Sequence, residues 1–243
     1  MKVTLAHHTP DPERTCAEAA ALCYSPGNYE DVRVKFELCD AADKQKSVEA
    51  FLTKVLSLGH NSVVEHASFT FAIDGISRTT SHQLVRHRIA SYSQQSQRYV
   101  KLTGTHLDVV IPDTCKESNA RMKRLTKALE EVRKCYNYLV KDGVPAEDAR
   151  YILPNATCTN IIVTMNAREL LNFFTLRCCK RAQWEIREMA RCMLVCLTPI
   201  APTIFKAAGP ACLRGPCPEG VYCCGKQQEV KEIYKFTIVR RAA

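Results

Sequence analysis

The sequence predicts an α/β protein, and three observations carry that expectation. Long segments repeat apolar residues at helical spacing, a few short segments alternate or are rich in β-branched residues, and glycine or proline separates the two kinds. With 243 residues the chain is long enough to bury a core, as one domain with excursions rather than two full domains.

Met1 to Ala6 alternates like a strand, and Pro12 to Ala21 is expected to be a helix with Pro12 in its first turn. A second helix is expected from Asp43 to Leu58, with Val48, Phe51, Leu52, Val55 and Leu56 on one face and Gly59 as its stop. Ala67, Phe69 and Phe71 alternate with Ser68 and Thr70, a strand bounded by Asp74 and Gly75. Ser77 to Arg88 suits a short helix with Leu84 and Val85 turned inward, and the polar run from Ser91 to Arg98 is expected to be irregular.

Ser118 to Val140 places Met122, Leu125, Leu129, Val132, Tyr136 and Leu139 on one face of a long helix, with Lys123, Arg124, Glu130, Glu131 and Lys134 on a solvated one. Gly143 stops it, and Pro145 opens a shorter helix through Arg150, closed by Pro154. Thr157 to Met165, rich in Thr, Ile and Val, suits a buried strand, followed by helices from Ala167 to Cys178 and from Ala182 to Thr198. In the second of these Trp184, Ile186 and Met189 are expected in the core. Pro199 and Pro202 end the packed body. Gly209 to Gly225 is rich in Gly, Pro and Cys, and a polar tail with Tyr234, Phe236 and Ile238 follows.

Composition is that of an ordinary globular protein. No apolar run reaches the roughly 18 residues a membrane span needs, and Met1 to Pro10 lacks the apolar core of a secretory signal. A cytoplasmic protein with no membrane partner is expected. The net charge of +9 suits either a nucleic-acid surface or sites for small anions. Arg86, Arg88, Arg98, Arg150, Arg168 and Arg177 lie inside patterned segments rather than in a tail or a continuous basic stripe, which favours small anions.

The 14 cysteines are expected to be reduced thiols, most of them, such as Cys135, Cys192 and Cys196, on apolar helix faces. Cys212, Cys217, Cys223 and Cys224 stand apart among glycines and prolines. Their spacing departs from the paired Cys-x-x-Cys knuckles of structural zinc sites, so thiols in a loop and a metal site remain the two readings, with no metal expected. Cys178 and Cys179 follow Arg177 closely; on a helix they point in different directions, one suited to packing and the other near a site.

The most unusual stretch is Arg86-His87-Arg88 followed by a loop with Gln94, Gln95, Ser96, Arg98 and Tyr99. Two guanidiniums around an imidazole concentrate positive charge at a helix end, and Arg forks match phosphate oxygens. A phosphate clamp for RNA or DNA is the alternative reading, yet only Tyr92 and Tyr99 supply aromatic residues near the loop for stacking bases.

Arg86-His87-Arg88-Ile89-Ala90-Ser91, then Ser96 and Arg98-Tyr99, resembles the signature of flavin-dependent thymidylate synthases. His60-Asn61-Ser62-Val63-Val64-Glu65-His66 is similar to that family's flavin-contacting segment. Asn166-Ala167-Arg168, Asn172-Phe173, Leu176-Arg177 and Ala182-Gln183-Trp184-Glu185-Ile186 resemble its C-terminal active-site segment. Any one match is weak, but several in the right order are specific, and the likeness spans about residues 1 to 205.

The resemblance implies an α/β fold with an antiparallel sheet packed against long helices, in a homotetramer whose active sites are shared between subunits. It implies a domain over 1–205 and a Cys/Gly/Pro-rich extension over 206–243. The implied reaction is methylation of dUMP to dTMP with 5,10-methylenetetrahydrofolate as carbon donor, NADPH as reductant and FAD as cofactor. On the family pattern, His60, Ser62, Glu65, Arg86, His87, Arg88, Ile89, Asn166, Arg168, Asn172 and Arg181 hold FAD. Gln83, Arg86, Gln94, Gln95, Ser96, Arg98, Arg150 and Arg177 bind dUMP, and Arg177, facing the pyrimidine, is catalytic.

Ser96 has no histidine or lysine at an activating spacing and is expected to bind substrate rather than attack it. Arg181 stands where some family members carry histidine. It is a permanent cation unsuited to moving protons near neutral pH.

Overall fold

The structure, a computed structural model, describes residues 1–37 and 41–239. In chain order it contains β1 (Lys2–His8), α1 (Pro12–Leu22), α2 (Tyr29–Glu37), α3 (Ala41–Ser57), β2 (Ser68–Ser77), α4 (Arg78–Leu84), β3 (Ala90–Gln94) and α5 (Asp113–Lys116). There follow α6 (Asn119–Lys141), α7 (Ala146–Ala149), β4 (Cys158–Asn166), α8 (Ala167–Arg177), α9 (Trp184–Leu197), α10 (Pro202–Phe205) and α11 (Gln227–Val239). The four strands form an antiparallel sheet in the order β1-β2-β4-β3, as the α/β expectation requires. No helix among the described residues is long and apolar enough to cross a membrane.

The chain divides into two compact units, residues 1–2, 73–86 and 92–162 in the first and 3–72, 87–91 and 163–243 in the second. The core of the second unit is aromatic. Phe69 meets Phe205 edge-on with centroids 5.6 Å apart, Phe205 meets Phe174 at 6.1 Å, and Phe174 meets Phe173 at 5.6 Å. All four rings are buried, each worth about 1.5–3 kcal/mol of transfer free energy. α1 packs on α3 and on the 3-10 turn Asn61–His66, and α8 packs on that turn and on α9. Gly59, at φ +83, ends α3 in the left-handed conformation, letting the His60 N–H reach back to the Val55 carbonyl at 3.3 Å. Buried Glu13 caps α10, its carboxylate accepting from the backbone N–H groups of Thr203 and Ile204.

In the first unit Ser118 caps α6, accepting from the Arg121 N–H at 3.4 Å. Of the apolar face of α6 only Tyr136 is buried; Met122, Leu125, Leu129, Val132 and Leu139 are half-buried.

Several expectations are corrected. The polar run after Ser91 is not wholly irregular: Ala90–Gln94 is strand β3, a polar edge strand beside β4. β2 continues past Asp74 and Gly75 to Ser77, with Gly75 at φ +69 supplying the bend. The helix expected to reach Arg88 stops at Leu84, so Leu84 is buried while Val85 is exposed. β4 is buried on alternate residues rather than throughout, and Ile162 is 49% exposed. Trp184 opens α9 at 38% exposure, outside the core that holds Ile186 and Met189.

Helix α2, built on Val32 and Phe36, was not expected. The tail after Gly225 is helical, and Val230 and Tyr234 are buried on it; the side chains of Phe236 and Ile238 lie outside the described residues. Burial therefore continues beyond Pro202. Every described cysteine is free; Cys135 is exposed rather than on a covered face, whereas Cys16, Cys178 and Cys212 are buried.

Candidate active site

In the second unit, α8 begins where Asn166 caps it, the side-chain oxygen accepting from the Glu169 N–H at 2.9 Å. Glu169 then turns its carboxylate inward. His87 is only 5% exposed, and its Nδ1 lies 2.8 Å from Glu169 Oε1. On the other side of the ring, Arg177 Nε donates to His87 Nε2 at 3.0 Å. A guanidinium can only donate, so Nε2 is the acceptor, Nδ1 carries the proton, and the imidazole is neutral. Burial depresses the His87 pKa below its ordinary value; Glu169 opposes this and the Arg177 charge adds to it. Asn172 Nδ2 donates to both Glu169 oxygens at 3.3 Å, and the Phe173 ring edge packs on the imidazole with centroids 4.9 Å apart.

Glu169, His87 and Arg177 thus form a relay whose fixed end is the carboxylate and whose far end is the guanidinium expected to be catalytic. Both His87 nitrogens are engaged inside the chain, a positioning geometry rather than a ligand-facing one. Glu169 escaped the sequence reading. Its signal was present as the Asn-x-x-Glu pattern of a helix N-terminus, although here the glutamate serves the histidine and not the cap.

Arg177 also borders an open cavity of about 400 Å³ within this unit. Thr175, Leu176, Cys179 and Arg181 line one side and Pro210, Cys212 and Cys217 the other. Its volume falls in the range of roughly 300–1,000 Å³ typical of small-molecule sites. Arg181 is exposed, its Nη1 donating to the Tyr222 carbonyl at 2.6 Å and its guanidinium lying 5.5 Å from the Tyr222 ring centroid. It is tied to the C-terminal segment. His60, Ser62, Glu65, Arg88, Ile89, Arg168 and Asn172 are exposed in the same unit, with Arg168 and Glu65 forming an ion pair. Such an exposed pair is worth about 0–1 kcal/mol and is readily exchanged for ligand contacts.

In the first unit, Arg86 is exposed just beyond α4. Gln83 is half-buried near the end of α4, and Gln94 Nε2 donates to Ser81 Oγ at 3.0 Å and to Thr159 Oγ1 at 3.2 Å. The Gln95 N–H bonds the Asn160 carbonyl at 2.9 Å, so its backbone serves the sheet edge. Ser96 Oγ accepts the Arg98 N–H at 3.2 Å, holding the turn. Arg98 pairs with Glu147 at 3.0 Å, and Arg150 Nε donates to the Glu147 carbonyl at 3.0 Å. Arg98, Glu147 and Arg150 are thereby gathered around α7.

Arg78 was missed. It is part-buried, and burial together with the nearby Arg150 charge lowers its pKa. Two guanidiniums held near each other create a site that favours an anion. Within a single sequence nothing separated Arg78 from the other helix-start residues.

A family model described as thymidylate synthase complementing protein matches residues 4–203. The chain is 56% identical over 235 residues to the flavin-dependent thymidylate synthase of Geobacter sulfurreducens, covering 97% of this chain and 98% of the relative. It is 46% identical over 250 residues to that of Clostridium tetani, covering 96% and 97%. Among solved structures, the flavin-dependent thymidylate synthase ThyX of Helicobacter pylori, complexed with FAD and dUMP, superposes with TM-score 0.69 at 26% identity, over 86% of this chain and 100% of the other. With its sheet order, its Arg-His-Arg segment and a match over most of its length, the chain belongs to the flavin-dependent thymidylate synthase family.

Proposed function

We propose that this protein is a flavin-dependent thymidylate synthase that methylates dUMP to dTMP with FAD as cofactor, and with 5,10-methylenetetrahydrofolate and NADPH as co-substrates. The observation that carries the reading is the Glu169–His87–Arg177 relay, which presents a fixed guanidinium inside the segment that matches the family.

The donor set fits FAD. Arg86 and Arg88 are exposed and flank buried His87 in the sequence, so the segment offers two guanidiniums suited to the phosphates of a dinucleotide. Ser62, Arg168, Asn166 and Asn172 add hydroxyl, guanidinium and amide donors for ribose and ring oxygens, with His60, Glu65, Ile89 and Arg181 at the edges of the site. Bound FAD supplies the hydride chemistry that the side chains lack.

Gln83, Gln94, Gln95, Ser96, Arg98 and Arg150 bind the nucleotide, with Arg78 added to them, and Arg86 serves both ligands. Arg98 exchanges its exposed Glu147 partner for a phosphate oxygen. Arg177 faces the uracil carbonyls and stabilises negative charge as it develops on the ring, a contribution of about 2.7–4 kcal/mol for one well-placed donor. His87, kept neutral by burial, holds that guanidinium still and moves no proton itself. Arg181, a permanent cation, contributes charge and not acid-base chemistry.

The active protein is a cytoplasmic homotetramer with active sites shared between subunits. The half-buried apolar face of α6 supports assembly, because Leu125, Leu129 and Val132 gain cover from another chain. Residues 1–205 form the catalytic domain and 206–243 its extension.

The test is a visible spectrum of the purified protein with FAD content and sedimentation mass measured on the same sample. A yellow tetramer that binds dUMP supports the reading. A colourless chain that takes up no FAD and instead binds polynucleotides with steep salt dependence would return the arginine loop to a phosphate-clamp role.

A further inference from the structure

Five cysteines converge where the C-terminal segment meets the end of α8. Cys179, Cys212, Cys217, Cys223 and Cys224 border one enclosure of about 20 Å³, together with Lys180, Arg181 and Glu219. A space of that size admits a single water-sized or ion-sized guest, since roughly 10–15 Å³ holds one water. Cys212 is buried, and Cys179, Cys217, Cys223 and Cys224 border the same enclosure.

The loop carrying these thiols is braced independently of them. Gln227 Nε2 donates to the carbonyls of Cys212 at 2.8 Å and Gly215 at 2.9 Å. Arg181 holds the Tyr222 carbonyl, and the Gly225 N–H donates to Cys223 Sγ at 3.4 Å. Concentrating this many free thiols around one small space has no packing rationale, because most of them are not buried.

We propose that Cys179, Cys212, Cys217 and one of the adjacent pair Cys223 and Cys224 bind a soft divalent cation of the zinc class as a structural tetrathiolate site. Such a site stitches the C-terminal segment to the end of α8. Zinc takes four thiolates in a tetrahedron. Binding forms the zinc–sulfur bonds and releases the thiol protons to solvent, with no oxidant or reductant needed. Four thiolates around a divalent ion leave excess negative charge, and Lys180 and Arg181 border the enclosure to offset it.

Among the described residues no three His, Cys, Asp or Glu side chains already stand in ligand geometry. The thiols that border the enclosure must therefore turn onto the ion as it binds. The ligand from the end of α8 also explains why the spacing of the later cysteines looks unlike a zinc knuckle: Cys179 supplies what a Cys-x-x-Cys pair would.

The test is the metal content of the full-length protein purified without chelator from zinc-supplemented medium, by elemental mass spectrometry, with thiols titrated before and after a mercurial is added. Zinc stoichiometric with chain, released by the mercurial, is expected. Cys212→Ser and Cys217→Ser are each expected to lose it about tenfold or more, and Cys23→Ser to keep it. Wild-type protein without zinc, whether its thiols titrate freely or Cys217 is joined to Cys223 in a disulfide, overturns the proposal, as does zinc retained in both ligand variants. Because the readout is metal and not turnover, it is independent of the thymidylate synthase reading.

Discussion

Replacing Glu169 by glutamine removes the charge that anchors the relay while nearly preserving its shape. In the native arrangement the carboxylate faces the His87 Nδ1 proton at 2.8 Å, and His87 Nε2 accepts from Arg177 at 3.0 Å. The glutamine oxygen still accepts from Nδ1, so the tautomer is kept. The bond changes from one to a charged group, worth about 1.5–3 kcal/mol, to a neutral one of about 0.5–1.5 kcal/mol. Asn172, which donates to both Glu169 oxygens, also meets an amide nitrogen in place of one acceptor. A loss of about 1–2 kcal/mol in holding Arg177 corresponds to roughly a 5- to 30-fold fall in kcat. Steady-state dTMP formation, with bound FAD measured on the same preparation, reads it. A folded, flavin-loaded variant with kcat within about twofold of wild type refutes the relay, and loss of FAD without a change in kcat per bound flavin would move Glu169 to cofactor binding.

Other outcomes follow from the same geometry. Arg177→Ala is expected to leave FAD bound while lowering kcat by about 100- to 1,000-fold, the usual cost of a lost charge-stabilising donor, as single-turnover product formation would show. Arg78→Ala, which removes one of two neighbouring guanidiniums, is expected to raise the dUMP Kd by about 10- to 100-fold with FAD affinity unchanged, measured by titration calorimetry. Because burial holds the His87 pKa below its ordinary 6.5, the unfolded chain binds the proton first as pH falls. The stability tied to that ring is thus full above about pH 6.5, declines as pH drops toward the folded value and levels off below it; Tm against pH should show the slope, and His87→Asn should flatten it. Burial raises the thiols of Cys16 and Cys178 to about 12, so iodoacetamide at pH 8 should spare both while labelling exposed Cys23 and Cys135, as peptide mapping would show.

The long elements were legible because their residues repeat a period. Leu125, Leu129 and Val132 announced α6, and Val48, Leu52 and Val55 announced α3. What escaped was decided by neighbours rather than by period. β3 is Ala-Ser-Tyr-Ser-Gln, polar enough to look like a loop, and it is a strand because β4 offers it an edge. α2 buries only Val32 and Phe36 among charged residues, too thin a stripe to stand out. Trp184 has helical spacing to the core, but its place at the first turn of α9 leaves it partly exposed.

At the site, residue types were legible and their partnerships were not. Arg86, His87 and Arg88 stood out as a cluster, yet the buried role of His87 depends on Glu169 and Arg177, which are distant in sequence and adjacent only once α8 packs. Arg78 needed the position of Arg150, and the cysteine enclosure needed Cys179.

Whether the flavin of this protein carries reducing equivalents from NADPH into dTMP is decided in one anaerobic cuvette. The purified, flavin-loaded protein is reduced with NADPH, and dUMP with 5,10-methylenetetrahydrofolate is then added while the flavin bands are followed and dTMP is quantified. Bands that bleach with NADPH and return in step with dTMP formation are the predicted result. Reduced flavin that persists with no dTMP formed would contradict the account.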